Sequence, residues 1–136
     1  MRVRPATPAD AIAIGSIAYA TGYFGSSASA FFPDVSLFQA LWVGPYLGGD
    51  GVGLGAWVAE LDGQIVGYLV GAADPRSFRR AVARMAPSML RRWLGGAFPL
   101  WRASLRYPLR LLRFPGKAAP YRDYPAHLHP NALPPP

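Results

Sequence analysis

The sequence has no cysteine, which excludes disulfides and thiol catalysis and argues against a secreted, disulfide-stapled domain. It has no apolar run near the roughly 20 residues that span a bilayer. The N-terminus carries early arginines but lacks the long apolar stretch and small-residue cleavage site of a secretory leader, so the expected compartment is the cytoplasm. Acidic residues are scarce and unevenly placed. Residues 1–75 hold Arg2 and Arg4 against Asp10, Asp34, Asp50, Glu60, Asp62 and Asp74, whereas residues 76–122 hold twelve of the fourteen basic residues and no acid. A slightly acidic half is joined to a strongly basic one. What is present is enough for a fold: 51% of the 136 residues are hydrophobic and 13% aromatic, which suits one domain with a modest core rather than a disordered chain.

The stretch 55–72, GAWVAELDGQIVGYLVGA, organises the rest. Trp57, Ala59 and Leu61 alternate with Val58 and Glu60, the period of a two-faced strand. Residues 64–70 are β-branched and aromatic, as a better-buried strand requires. Asp62-Gly63 between them suits a tight hairpin turn, because both residues tolerate positive φ.

Around this hairpin, residues 2–6 read as a short strand. Thr7, Pro8 and Asp10 read as a helix start, with Thr as N-cap and hydroxyl and carboxylate both meeting free N–H groups. That helix is expected over 8–20, with Ala9, Ile12, Ala13, Ser16, Ile17 and Ala20 on one face. A second helix, 34–43, starts at Pro33-Asp34, carries Val35, Phe38, Leu41 and Trp42 inward, and ends at Gly44-Pro45. The glycine-rich stretch 48–55 is read as a surface loop, since a strand rather than a helix N-terminus follows it. Asp74 caps a helical insertion over 75–113, with Phe78, Val82, Met85, Met89 and Trp93 at helical spacing and arginines around them. Pro87 and Pro108 are expected to kink or split it. A proline-bearing connector, 114–122, leads to a strand over 124–130, and Pro134, Pro135 and Pro136 leave the end extended.

The order of these elements, the hairpin's Val66-Gly67-Tyr68-Leu69, and Tyr124-Pro125-Ala126-His127-Leu128-His129 with Asn131, Leu133 and Pro134 resemble a branch of the GNAT superfamily of N-acetyltransferases. That branch carries a long basic helical insertion between its third and fourth strands; Pro130 and Ala132 depart from its fourth-strand pattern. The resemblance implies an α+β fold with a mixed, mainly antiparallel sheet, flanking helices and the insertion 75–113, all within one domain over 1–136. It covers nearly the whole chain but about the N-terminal half of the family's fold. The family's pyrophosphate-binding loop, an anion site at a helix N-terminus, has no counterpart before Pro136. The stretch 113–118 spells a similar pattern but precedes the His-Leu-His strand and contains Pro115, so it is not read as that loop.

The resemblance implies acetyl transfer from acetyl-CoA to a small-molecule or peptide amine. His127 and His129, two apart and so on one strand face, are the candidate proton relays, having the right pKa for an amine's proton. The alternative is structural packing; a metal site lacks an evident third ligand. The backbone of Asn131, Ala132 and Leu133 would face the acetyl group and pantetheine arm. Tyr23, Phe24, Phe31 and Phe32 lie where the family lines its acceptor pocket, though aromatics there also serve a core. The expectation for this chain is an enzyme by ancestry, inactive alone or completed by another copy or chain through an exposed last strand. The alternative is a binding module whose basic amphipathic helices, with Trp93 and Trp101 on the apolar side, engage an acidic partner or an anionic membrane surface. Nucleic acid is disfavoured for want of any accompanying recognition motif.

Overall fold

In the computed structural model, which describes residues 1–47, 54–106, 109, 113 and 126–133, the predicted hairpin is the centre of the sheet. Strand β2 (Leu54–Leu61) and strand β3 (Gln64–Ala72) pair antiparallel. Asp62 and Gly63 turn between them with φ of 50° and 80°, the left-handed pair that a two-residue hairpin requires. Ala59 faces Gly67 and Glu60 faces Ile65, so Val66 is an extra residue, a bulge that sharpens the local twist. Strand β1 (Arg2–Pro5) lies against β2, and strand β4 (His127–Ala132) against β3, both antiparallel, giving the order β1-β2-β3-β4. The architecture is α+β: a four-stranded antiparallel sheet with flanking helices.

One face of the sheet is covered. Val58, Tyr68, Val70 and Ala72 are buried with Ile14, Ile17, Ala18, Phe32, Phe38, Val43 and Tyr46. Helix α1 (Ala11–Thr21) supplies Ile14, Ile17 and Ala18, while Ile12 is 77% exposed. The expected inward face, 9/12/13/16/17/20, is therefore rotated. The segment is apolar on nearly every side, so periodicity does not choose a face and contact with the sheet does. At Gly15 a Cβ would meet Gln39 Cγ at 2.6 Å, so α1 and helix α2 (Val35–Trp42) approach closely there.

The first turn is held by charge. Arg4 forks onto both carboxylate oxygens of Asp10 at 2.8 and 2.9 Å and donates from Nε to Glu60 at 3.0 Å. The Thr7 N–H donates to Asp10 Oδ2 as expected, but the Thr7 hydroxyl also donates to that carboxylate. The Arg4 fork, then the Thr7 bonds, hold the Asp10 carboxyl well below the usual carboxylate range.

Helix α2 stops just before Gly44-Pro45, as the sequence predicts, but helical structure resumes there. After a break at Val43, Gly44–Leu47 forms one more turn, α3, for proline is tolerated in a first turn, where its missing N–H has no partner to lose. Within α2 only Phe38 of the expected inward set is buried. Val35 and Leu41 are 41% and 40% exposed, and Trp42 stacks on Phe38 at 4.9 Å. Asp74 caps helix α4 (Pro75–Leu94) by accepting from the N–H groups of Arg76 and Ser77. The helix runs through Pro87 without splitting. Phe78, Met85 and Met89 are half-buried, but Val82 and Trp93 are 38% and 42% exposed.

A short helix, α5 (Trp101–Ser104), follows and is pinned by Asp34. That buried carboxylate caps α2 at Leu37 N–H (2.9 Å) and accepts from Leu100 N–H (2.8 Å), and the Asp34 N–H donates to Ser104 Oγ (3.0 Å). The loop over 48–53, the Pro108 kink with most of the helical stripe 107–112, the connector and motif-like stretch within 114–122, Tyr124-Pro125 and Pro134–Pro136 lie outside the described residues.

Candidate functional site at the fourth strand

Among the described residues strand β4 runs from His127 to Ala132, with Ala126 outside it. His127 pairs with Ala72, His129 with Val70 and Asn131 with Tyr68, so these register positions belong to the sheet face that the helices cover. The Leu133 N–H donates to Val66 O at 2.8 Å. In an antiparallel ladder donors alternate sides, so Asn131 and His129 also direct their N–H groups at β3. The nitrogens of Leu128, Pro130 and Ala132 point to the other edge, which has no partner strand among the described residues. Pro130 therefore costs the β3–β4 ladder nothing, since its missing donor falls on the outer edge. Of the backbone positions 131–133, Ala132 is the one whose N–H faces outward.

Beside this edge lie an imidazole and two phenols. The His129 ring meets the Tyr46 ring edge-on at 6.4 Å between centroids, and His129 is solvent-exposed. Tyr46 comes from α3 and is 8% exposed; burial, then the proximity of Tyr68, pushes its hydroxyl up to about 12. Tyr68 is 6% exposed and accepts a 2.8 Å bond from Asn131 Nδ2. Burial raises it too, partly opposed by that bond. Both phenols are thus neutral near neutral pH and can donate a proton but not take one. The exposed imidazole thus packs edge-on against one of two buried, neutral phenols.

Tyr46 and the Asn131–Tyr68 pair were missed from sequence. Tyr46 follows Gly44-Pro45, which reads as a stop signal. The Asn131 partner lies 63 residues away, with only strand alternation to hint at it.

The aromatic candidates divide. Phe32 is 4% exposed and belongs to the core, its ring 5.6 Å from that of Phe38 and its carbonyl accepting from Tyr19 Oη. Tyr23 and Phe24, 45% and 97% exposed, form a surface cluster with Phe31, with ring centroids 4.3 and 5.1 Å from Tyr23. The sheet's other face carries an open apolar trough of about 600 Å³ lined by Val3, Trp57, Ala59, Leu69, Pro130 and Ala132, among others.

Among the described residues no helix is long and apolar enough to cross a membrane. No family model matches the sequence, and no curated protein matches it. Among solved structures the chain is similar to the crystal structure of SsHAT. The two share 29% identity at a TM-score of 0.63, over 98% of this chain and 66% of that one. The fold is acetyltransferase-like, and the chain spans just under two thirds of that relative's length.

Proposed function

We propose that this chain carries the acceptor-side part of a GNAT-type N-acetyltransferase, moving an acetyl group from acetyl-CoA to an amine. The single observation that carries the reading is the likeness to SsHAT, which runs through 98% of the chain at 29% identity and so includes β4. The residues present fit one end of acetyl-CoA: an outward N–H at Ala132 suits a thioester carbonyl, and the outer edge of β4, which has no partner strand among the described residues, leaves room for an extended arm beside it. Nothing on β4 itself is cationic enough to hold a pyrophosphate.

When bound, acetyl-CoA would supply the activated acetyl group, its thioester C–S bond breaking as the amide C–N bond forms and CoA leaving as a thiol with a proton from solvent. His129 takes the proton that the acceptor's ammonium must lose before its nitrogen can attack. The Ala132 N–H would hold the thioester carbonyl oxygen by a hydrogen bond and polarise it. Tyr68, its hydroxyl fixed by Asn131, keeps that part of β4 in register with β3. The exposed Tyr23–Phe24–Phe31 cluster offers apolar surface to an acceptor's flanking groups.

The test is thermal melting with and without excess acetyl-CoA. Ligand at 100 times its Kd adds about 2.7 kcal/mol if it binds only the folded state. A rise in Tm supports the reading, and an unchanged cooperative melt refutes it. Where binding is seen, His129→Ala should slow transfer by roughly 10² to 10⁴ with Tm unchanged.

A further inference from the structure

Charge of one sign and exposed apolar surface coincide at the end of α4. Arg76, Arg79, Arg80, Arg84, Arg91, Arg92, Arg102 and Arg106 occur between residues 76 and 106 with no acid among them. The outward side of α4 changes character along its length. Its first turns expose Arg76, Arg79 and Arg80, whereas farther on it exposes Ala83, Ala86, Pro87, Leu90 and Leu94. Leu94 is 71% exposed, Leu90 55%, Leu100 50% and Trp93 42%.

Two tryptophans and two arginines border this tip. Trp93 and Trp101 meet edge-to-face at 5.4 Å. The Arg92 guanidinium lies 4.9 Å from the Phe98 ring centre, and that of Arg102 5.5 Å from the Trp101 ring centre. An apolar groove of about 340 Å³ runs beside them between α2, α4 and α5.

We propose that this tip docks on the surface of an anionic lipid bilayer. Leucines enter the acyl boundary, indoles sit at headgroup depth, and arginines meet lipid phosphates and carboxylates, the division of labour of interfacial helices. The two apolar side chains that decide for a bilayer over an acidic protein are Leu94 and Leu100. A partner helix would fill the groove, yet neither residue lines it, and both stand at least half exposed beyond it. A soft apolar phase receives such a tip without a matching pocket. The inference is independent of acetyl transfer.

The test is co-sedimentation of the whole chain with phosphatidylcholine vesicles, with and without about 30% phosphatidylserine, at about 0.02 M and about 0.5 M NaCl. Tryptophan emission is followed in parallel, with no acetyl-CoA present. The expected result is binding to the anionic vesicles only, a blue shift of emission, and release by salt. Leu94→Ser/Leu100→Ser should weaken binding at least tenfold with an unchanged melt, and Arg91→Gln/Arg92→Gln should weaken it as well. No sedimentation with anionic vesicles overturns the proposal. So does binding that ignores Leu94→Ser/Leu100→Ser and is matched by heparin, which would make the surface a polyanion or acidic-protein site.

Discussion

Replacing Asp34 by alanine should detach the basic insertion from the core before it unfolds the sheet. The side chain is 2% exposed and accepts two N–H groups 63 residues apart in sequence, those of Leu37 and Leu100. Loss of an N-cap carboxylate costs about 1 kcal/mol. Loss of the charge-assisted bond to Leu100 adds about 2 kcal/mol, making about 3 kcal/mol in all. At this chain length that lowers Tm by roughly 9–15 °C. The neighbouring bond from the Asp34 N–H to Ser104 Oγ, itself 1% exposed, provides a second handle. Ser104→Ala leaves a buried donor unmet at about 1–3 kcal/mol, and the double variant should fall short of additivity by at least about 0.5 kcal/mol. Urea denaturation measures the energies, and limited proteolysis within residues 95–106 shows whether the insertion has loosened. A cost under about 1 kcal/mol for Asp34→Ala, with protease protection of 95–106 intact, would refute the view that this carboxylate pins the insertion.

Other consequences are equally accessible. Asp10 has a depressed folded pKa, so its contribution to stability is present above about pH 4 and lost as pH falls below it; Asp10→Asn should lower stability at pH 7 and flatten the acid limb of the stability curve. Tyr46 titrates near 12 when folded against about 10 unfolded, so stability should decline as pH rises from 10 toward 12, and Tyr46→Phe should remove part of that slope in a phenolate absorbance titration. Gly63, at φ 80° in the hairpin turn, should lose roughly 1–2 kcal/mol on substitution by valine, read from a chemical melt.

What was legible in the sequence was local. Asp62-Gly63, Asp74-Pro75 and Pro33-Asp34 each carry their turn or cap chemistry within four residues, and the structure places a turn or a helix start at each. What was not legible depends on partners far along the chain. Asp34 reads as a cap, but its reach to Leu100 arises only when the insertion folds back. Arg4 reads as one more surface charge, although β1 pairing brings it within reach of both Asp10 and Glu60. The face of α1 was misplaced because Ala11–Thr21 is apolar all round, leaving the choice to the sheet. The candidate site shows the same division: His129 stands out as a residue type, whereas Tyr46 and the Asn131–Tyr68 bond depend on α3 and on strand register.

The placement of Pro130 makes the rim of the sheet a poor template. Its ring nitrogen sits among the outward-facing positions of β4, between Leu128 and Ala132. Acceptors recur at every second residue of a regular strand, so a visitor laid along 128–132 meets one silent site whatever its register. Only a strand that stops or splays at Pro130 avoids the gap. Stacking of copies along this edge therefore gains one bond fewer in every alignment.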